Sequence, residues 1–433
     1  MIGIVGGGLA GLAAAYRLQQ AGEAVRVFEA SEAVGGLAAT YETSGDRIEA
    51  FYHHLSKSEE TIVELAAELG VDDRLEWRYG SDAYYVDGVV HPMNKPWEIL
   101  AYPHLSLYDK FRLGMLVLDI DVRGGVPSFD TYERLEDFED VPVKQFILEH
   151  TSRGCFESFF LPLLRAKFGD RWEEVSAAWL LGRIKFRGER DILKGEVLGD
   201  FDGGFATLLD ALVEAVGREN ITTGARVTDL TLDGGVSAMT VETADGEAAH
   251  AVDGAVVAAM PNVLEDLTGY ECDIDFQGTV CSVISVDEPL TDTYWLNIAE
   301  EVPFGALIEH TNFVPPERYG GEHLLYAVSY IQSPEEELWQ MDDSGVEAAW
   351  LDGIESLFPD FDRESVNWIR TARNPRTAPI YERGYLDLVV PYDLGDSAPG
   401  VYYAGMASRA QYPERSLDGA IEAGYAAADA MLE

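Results

Sequence analysis

Three glycines and one acid carry the clearest chemistry in this chain. Gly6, Gly8 and Gly11 spell G-x-G-x-x-G, and Glu29 closes the apolar run that follows. Gly6 permits a tight turn, Gly8 lets backbone approach a pyrophosphate, and Gly11 lets a helix pack on a strand. Unpaired N–H groups and the helix dipole favour negative charge at that point. Glu29 can accept hydrogen bonds from ribose hydroxyls, and it would repel a 2′-phosphate. These residues grip a dinucleotide, provided that strand, turn, helix, strand and acid follow in order.

The surrounding pattern supplies that order. Ile2 to Val5 reads as a strand, and Leu9, Leu12, Ala13 and Tyr16 recur at helical spacing, with Gly22 as C-cap. Val25, Val27 and Phe28 suggest a second strand ending at Glu29. Further on, Phe205 to Val216 reads as a helix. A β-meander follows, with strands Arg226 to Leu232, Ala238 to Thr243 and Ala255 to Ala258. Pro261 stops the last of these and starts a helix. Residues 81–198 look largely helical, and residues 262–390 mix strands with acidic loops. A strand from Val401 to Ala404 precedes Gly405 and a helix from Ser416 to Leu432.

Composition narrows the setting. The 433 residues allow two or more domains, and 47% hydrophobic content indicates a globular chain. No stretch of about 18 apolar residues suggests a transmembrane segment. The first strand begins too early to leave room for a signal peptide. Lys and Arg total 31 against 77 Asp and Glu, a net charge of −46. Such a surface repels nucleic acid and itself. Screening relieves that repulsion, since the Debye length falls to about 3 Å at 1 M salt. The expectation is a cytoplasmic protein of a salt-accumulating organism. Cys155, Cys272 and Cys281 form no C-x-x-C, and the eight histidines show no H-E-x-x-H, so no metal site is expected.

Several motifs together resemble the FAD-containing superfamily of amine oxidases, protoporphyrinogen oxidases, phytoene desaturases and UDP-galactopyranose mutases. They are the opening unit, Gly35-Gly36 after Ala30, Val256 to Pro261, and Val401 to Gly405 followed by Leu417 to Gly424. The resemblance implies an α/β fold: a glutathione-reductase-like FAD-binding Rossmann domain with an inserted mixed α+β substrate domain. Residues 1–80, 199–261 and 391–433 would form the first, and residues 81–198 and 262–390 the cap. Gly6, Gly8 and Gly11 would cradle the pyrophosphate and Glu29 the adenosine ribose. Gly35 and Gly36 would run beside the pyrophosphate and ribityl chain, and Val227 would meet the adenine through its backbone. The Leu417 amide would lie near flavin O2, where a helix N-terminus stabilises the charge of reduced flavin. Two positions depart from the pattern. Leu37 stands where many relatives have Arg, and Met406 stands after Gly405 where many have Asp or Glu. Gly419 and Gly424 serve either packing or cofactor contact.

By the same resemblance His53 would face the isoalloxazine edge and Tyr381 would line the substrate cavity, as the catalytic candidates. Each could equally be a buried structural residue. Nine basic residues fall between Arg153 and Lys194 in a chain otherwise poor in them. Arg183, Arg187, Arg190 and Lys194 would share one face if the segment were helical, and Lys167 adds to the cluster. They would either hold an anionic substrate, through Lys167, Arg183 and Arg187, or pair with the abundant acids. The expected function is oxidation of a small carbon substrate by hydride transfer to flavin N5, with oxygen or a quinone as acceptor. A redox-neutral sugar-nucleotide mutase is the other reading. No second G-x-G-x-x-G offers a place for NAD(P).

Overall fold

The computed structural model describes residues 1–117, 134–186, 190–191 and 195–433. Five short strands form a parallel sheet in the order Ile221–Thr222, Val25–Phe28, Ile2–Val5, Gly254–Val257, Val401–Tyr403. Ile4, Val27, Val256, Val257 and Val401 are sealed from solvent. A parallel sheet covered on both faces requires such uninterrupted apolar runs.

Helix Leu9–Gln20 packs against both Ala206–Val216 and Leu417–Leu432. Gly11 lets this helix lie close on its own glycine turn, and Gly424 lets the last helix approach it. A Cβ on Gly11 would lie 2.0 Å from the Gly6 carbonyl oxygen, and one on Gly424 would lie 2.3 Å from that of Ala10. The first and last helices therefore touch backbone to backbone. Each follows a strand of the same parallel sheet, so both helix starts sit at its carboxyl edge, where open α/β sheets bind ligands.

The meander is an antiparallel sheet of Arg226–Leu232, Val236–Thr243 and Gly246–Ala251. It packs on the first strand, and the Met239 thioether fills the space beside Gly3.

A second, larger sheet runs Val366–Pro379, Phe276–Val286, His323–Ile331, Ala306–Glu309, Trp295–Ile298, Asp82–Val86, Val89–Pro92. It is antiparallel except where Trp295–Ile298 runs parallel to Asp82–Val86. Helix Asp343–Leu357 covers it through Val346, Trp350 and Ile354. The buried Trp350 indole donates to Ser282 Oγ at 2.7 Å.

Two expectations need correction. Residues 81–198 are not largely helical throughout, because Asp82–Val86 and Val89–Pro92 complete the large sheet and Gly195–Phe201 pairs with Leu75–Gly80. The division drawn at 198/199 therefore falls inside a strand. Nor do Arg183 and Arg190 share a helix face. Arg183 lies on helix Ala177–Phe186, whereas Arg190–Asp191 is extended, paired with Gly195 and Glu196. Arg187 and Lys194 lie outside the described residues.

Candidate active site

The glycine turn is built around Glu29. Its carboxylate accepts the Gly7 N–H at 2.7 Å and the Ser31 N–H at 2.8 Å. Each carboxylate oxygen retains a second acceptor direction for a hydroxyl. The Gly224 and Ala225 amides bond to the Ser31 and Glu29 carbonyls, which brings the approach to Val227 against this acid. Val227 itself is buried and pairs with Val241.

Helix Leu9–Gln20 starts at Gly8 with no side chain capping it. Its first amides lack helical carbonyl partners, which leaves a positive pole. Gly8 forms a parallel bridge with Gly35. A Cβ on Gly36 would point at Gly8 Cα from 3.3 Å, while one on Gly8 would find only Gly36 and Gly35 atoms at 3.8 Å and beyond. The two glycines thus line a cradle that side chains would fill, and it fits a pyrophosphate.

At the other helix start Ser416 caps, accepting the Gly419 N–H at 2.9 Å. Asp418, in the first turn, accepts the Ile62 N–H at 2.6 Å and so faces away from the helix start. Burial pushes its carboxyl up to about 6. A Cβ on Gly419 would lie 2.5 Å from the Ala410 carbonyl, and the Gly424 contact is with Ala10, so both glycines serve packing. A Cβ on Gly405 would strike the Ala259 carbonyl at 2.4 Å. Met406 is half-buried and Leu417 buried.

Between this edge and the large sheet lies a small pocket lined by Leu37, Phe51, Tyr52, His53, Thr279, Thr377 and Arg415. Leu37 follows the glycine pair, Arg415 precedes the cap of the last helix, and the two threonines come from the large sheet. Thr279 and Thr377 share a hydrogen bond at 2.5 Å. His53 Nδ1 lies 2.6 Å from the Phe51 carbonyl, so Nδ1 carries the proton and Nε2 is left as an acceptor. Burial, reinforced by Arg415, pushes this imidazole down to about 3. It is neutral across the physiological range.

Behind the pocket wall runs a polar chain. The Tyr52 and Tyr330 hydroxyls are 2.9 Å apart. Lys167 Nζ sits 5.8 Å from the Tyr330 ring centre and 2.5 Å from Glu414 Oε1. Arg183 Nη1 is 3.4 Å from Glu414 Oε2, to which the Trp179 indole also donates. Burial works against charge on Lys167 and Glu414. It holds Lys167 below the usual lysine range, whereas Lys167, Arg183 and Arg415 together hold Glu414 down at about 2. Tyr330 also resists ionisation by burial, but Lys167 and Arg415 outweigh it and bring its hydroxyl below the usual tyrosine range. The Arg415 Nε has no hydrogen-bond partner.

Tyr381 is not a wall of this pocket. It is sealed from solvent, and its hydroxyl donates to the Gln411 carbonyl at 3.0 Å. It supports the loop that carries Glu414 and Arg415. Sequence reasoning counted Tyr330 only among several unranked aromatics and missed Tyr52, Thr279, Thr377, Glu414 and Arg415. Only the last two left a signal, an acid–base pair directly before a helix cap.

Fold and site define a dinucleotide-binding α/β protein whose second sheet closes a polar pocket at the carboxyl edge of the first. The chain belongs to the flavin-containing amine oxidoreductase family, whose description matches residues 9–432. Flavin is the cofactor of that family. A segment of 185 residues is 26% identical to amine oxidase [flavin-containing] B of Cavia porcellus, covering 42% of this chain and 35% of that one. The chain spans less than half the length of the curated relatives it matches first. A solved structure from Exiguobacterium sp. 255-15, assigned as a protoporphyrinogen oxidase, superposes with a TM-score of 0.77 at 18% identity, covering 99% of this chain and 98% of that one. Reduced UDP-galactopyranose mutase superposes with a TM-score of 0.73 at 18% identity, covering 100% and 95%.

Among the described residues no helix is long and apolar enough to cross a membrane, and no cluster of His, Cys, Asp and Glu is gathered to hold a metal.

Proposed function

We propose that the protein is an FAD-dependent oxidoreductase that oxidises a carbon substrate held in the pocket of His53, Tyr52 and Arg415. The observation that supports this most directly is the meeting of Leu37, Arg415, Thr279 and Thr377 in one pocket beside two helix starts, one uncapped at Gly8 and one capped by Ser416. FAD, when bound, supplies the hydride acceptor. Gly6, Gly8, Gly11, Gly35 and Gly36 cradle its pyrophosphate, Glu29 takes the ribose, and the Val227 backbone meets the adenine. Gly405, Met406 and the Leu417 amide border the flavin end. The FAD-binding part comprises 1–80, 199–261 and 391–433, and the cap 81–198 and 262–390, except that strand Gly195–Phe201, paired with Leu75–Gly80, goes whole with the first.

His53 orients through Nε2 and is a poor proton acceptor, because burial and Arg415 oppose its protonation. Tyr330 is the better proton acceptor, because Lys167 and Arg415 favour its ionised phenol, and Tyr52, whose own ionisation is opposed by burial and by Tyr330, links it to the pocket. Tyr381 positions the loop. The test is anaerobic loss of the visible flavin absorption against a panel of tetrapyrrole, isoprenoid and amine substrates in molar salt, followed by reoxidation with oxygen or a quinone. If none of these substrates bleaches the flavin, the reading fails.

One observation favours a second reading, a sugar-nucleotide mutase. Lys167, Arg183 and Arg415 surround a single carboxylate, Glu414, and leave net positive charge for an anionic substrate. Protection of the reduced protein from heat by UDP, with none by UMP, would select it.

A further inference from the structure

We infer that helices Pro96–Ala101 and Leu107–Val117 form a docking surface for a phospholipid bilayer. Of eleven large apolar side chains exposed among the described residues, six fall here: Trp97, Leu100, Leu107, Tyr108, Phe111 and Val117. Leu107 is 79% exposed. The second helix is two-faced. Leu113 and Leu116 are buried in the core, while Leu107 and Phe111 stand one turn apart on the other side. Gly114, whose Cβ would meet nothing, continues that stripe. A contiguous exposed apolar surface marks an interaction site.

Charge identifies the occupant. The chain carries −46, yet residues 95–117 hold Lys95, Lys110 and Arg112 against Glu98 and Asp109. Both acids are committed locally. Glu98 accepts the Asn94 and Lys95 amides, and Asp109 accepts from Ser106 and from the Ser152 hydroxyl. Two of the cations lie over aromatic rings, Lys95 over Trp97 at 5.7 Å while also pairing with Glu98 at 3.7 Å, and Arg112 over Tyr108 at 5.9 Å. Apolar side chains bordered by Trp, Tyr and cations match the boundary between acyl chains and phosphate headgroups. A twofold contact with another copy would bring the Lys95, Lys110 and Arg112 cations of both copies into one interface. This inference does not depend on which substrate is oxidised.

The test is flotation of the flavin-loaded protein with phosphatidylglycerol vesicles in molar KCl, which screens the acidic remainder of the surface. The wild-type protein floats with the vesicles. The double variant Leu107→Glu/Phe111→Glu lowers the bound-to-free ratio by about tenfold or more. Its flavin spectrum and melting temperature stay unchanged, because both side chains lie outside the core. Three results would overturn the inference: wild-type protein that stays unbound, a double variant that floats as well, or gel filtration in which the variant merely turns a dimer into a monomer.

Discussion

Lys167 Nζ lies 2.5 Å from Glu414 Oε1, two residues ahead of the Ser416 cap. The bridge joins helix Leu161–Phe168 to the loop that enters the final helix. Lys167 is 11% exposed and Glu414 16%. Glu414→Gln leaves three cations facing no anion, and it should cost about 3–5 kcal/mol. Lys167→Met should cost less, since Arg183 and Trp179 still hold the carboxylate. Because Glu414 is held down at about 2, its contribution is present above the usual carboxylate range and lost as pH falls toward 2. Urea unfolding of the three proteins between pH 7 and pH 3, in molar salt, checks both the order and the slope.

The Tyr52–Tyr330 contact makes a prediction about rate. Tyr52 borders the pocket, and Tyr330 stands behind it beside Lys167. If the pair takes up a proton, Tyr52→Phe should lower kcat by about 10²-fold. KM and the flavin spectrum should change little. Tyr330→Phe should also remove the rise of kcat with pH that accompanies phenol ionisation. Steady-state kinetics across the alkaline range would separate this from a packing role, which would leave the profile's shape intact.

Much of the dinucleotide half was legible because its parts are local. The glycine turn, the helix it starts and the strands around it are each written in a few consecutive residues. Arg226–Leu232 and the helix starting at Pro261 were readable for the same reason. The pocket was not legible, because its walls come from residues 37–53, 279, 377 and 415, brought together only by sheet order. Phe276–Val286 and Val366–Pro379 pair across some ninety residues, and no turn signal announces such a partner. The basic run misled for a related reason. Helical spacing at Arg183 and Arg187 assumed a continuation that pairing of Arg190 with Glu196 overrides. Tyr381 stands in the sequence equally as a cavity wall or a buried aromatic, and the structure buries its ring in the core.

The glycines offer a test that separates cofactor binding from folding. Gly8 has φ −75°, which any residue adopts, and a Cβ there finds protein atoms only at 3.8 Å and beyond. Gly8→Ala should therefore leave the melting temperature of the flavin-free protein near wild type and lower FAD affinity by about tenfold or more, with Gly8→Val more severe. Gly11→Ala is different, since its Cβ would press on the Gly6 carbonyl from 2.0 Å. It should destabilise the flavin-free protein itself by about 1–3 kcal/mol. Thermal melts with and without added FAD distinguish the two. Equal behaviour of Gly8→Ala and Gly11→Ala would mean that the cradle holds no ligand.

The last prediction concerns an acid that does not line the pocket. Asp200 is almost wholly buried, and neither carboxylate oxygen has a hydrogen-bond partner. The Arg318 guanidinium comes no nearer than 4.0 Å, held by Asp46 at 2.7 Å. Glu49, buried beside it, accepts the Phe205 N–H at 2.8 Å and is the better placed of the two to ionise. Burial first, and Glu49 second, push Asp200 up to about 8. A carboxyl raised on folding stabilises most when the unfolded chain is also protonated. Its contribution then declines as pH rises from about 4 through about 8. Asp200→Asn mimics the protonated form and removes the titration. Its stability should match wild type near pH 4.5 and exceed it on the order of 1–3 kcal/mol above pH 8.5. Melting curves across that range, at constant molar salt, decide the matter. A variant that loses stability equally at every pH would mean that Asp200 is ionised in the native protein and paired with Arg318.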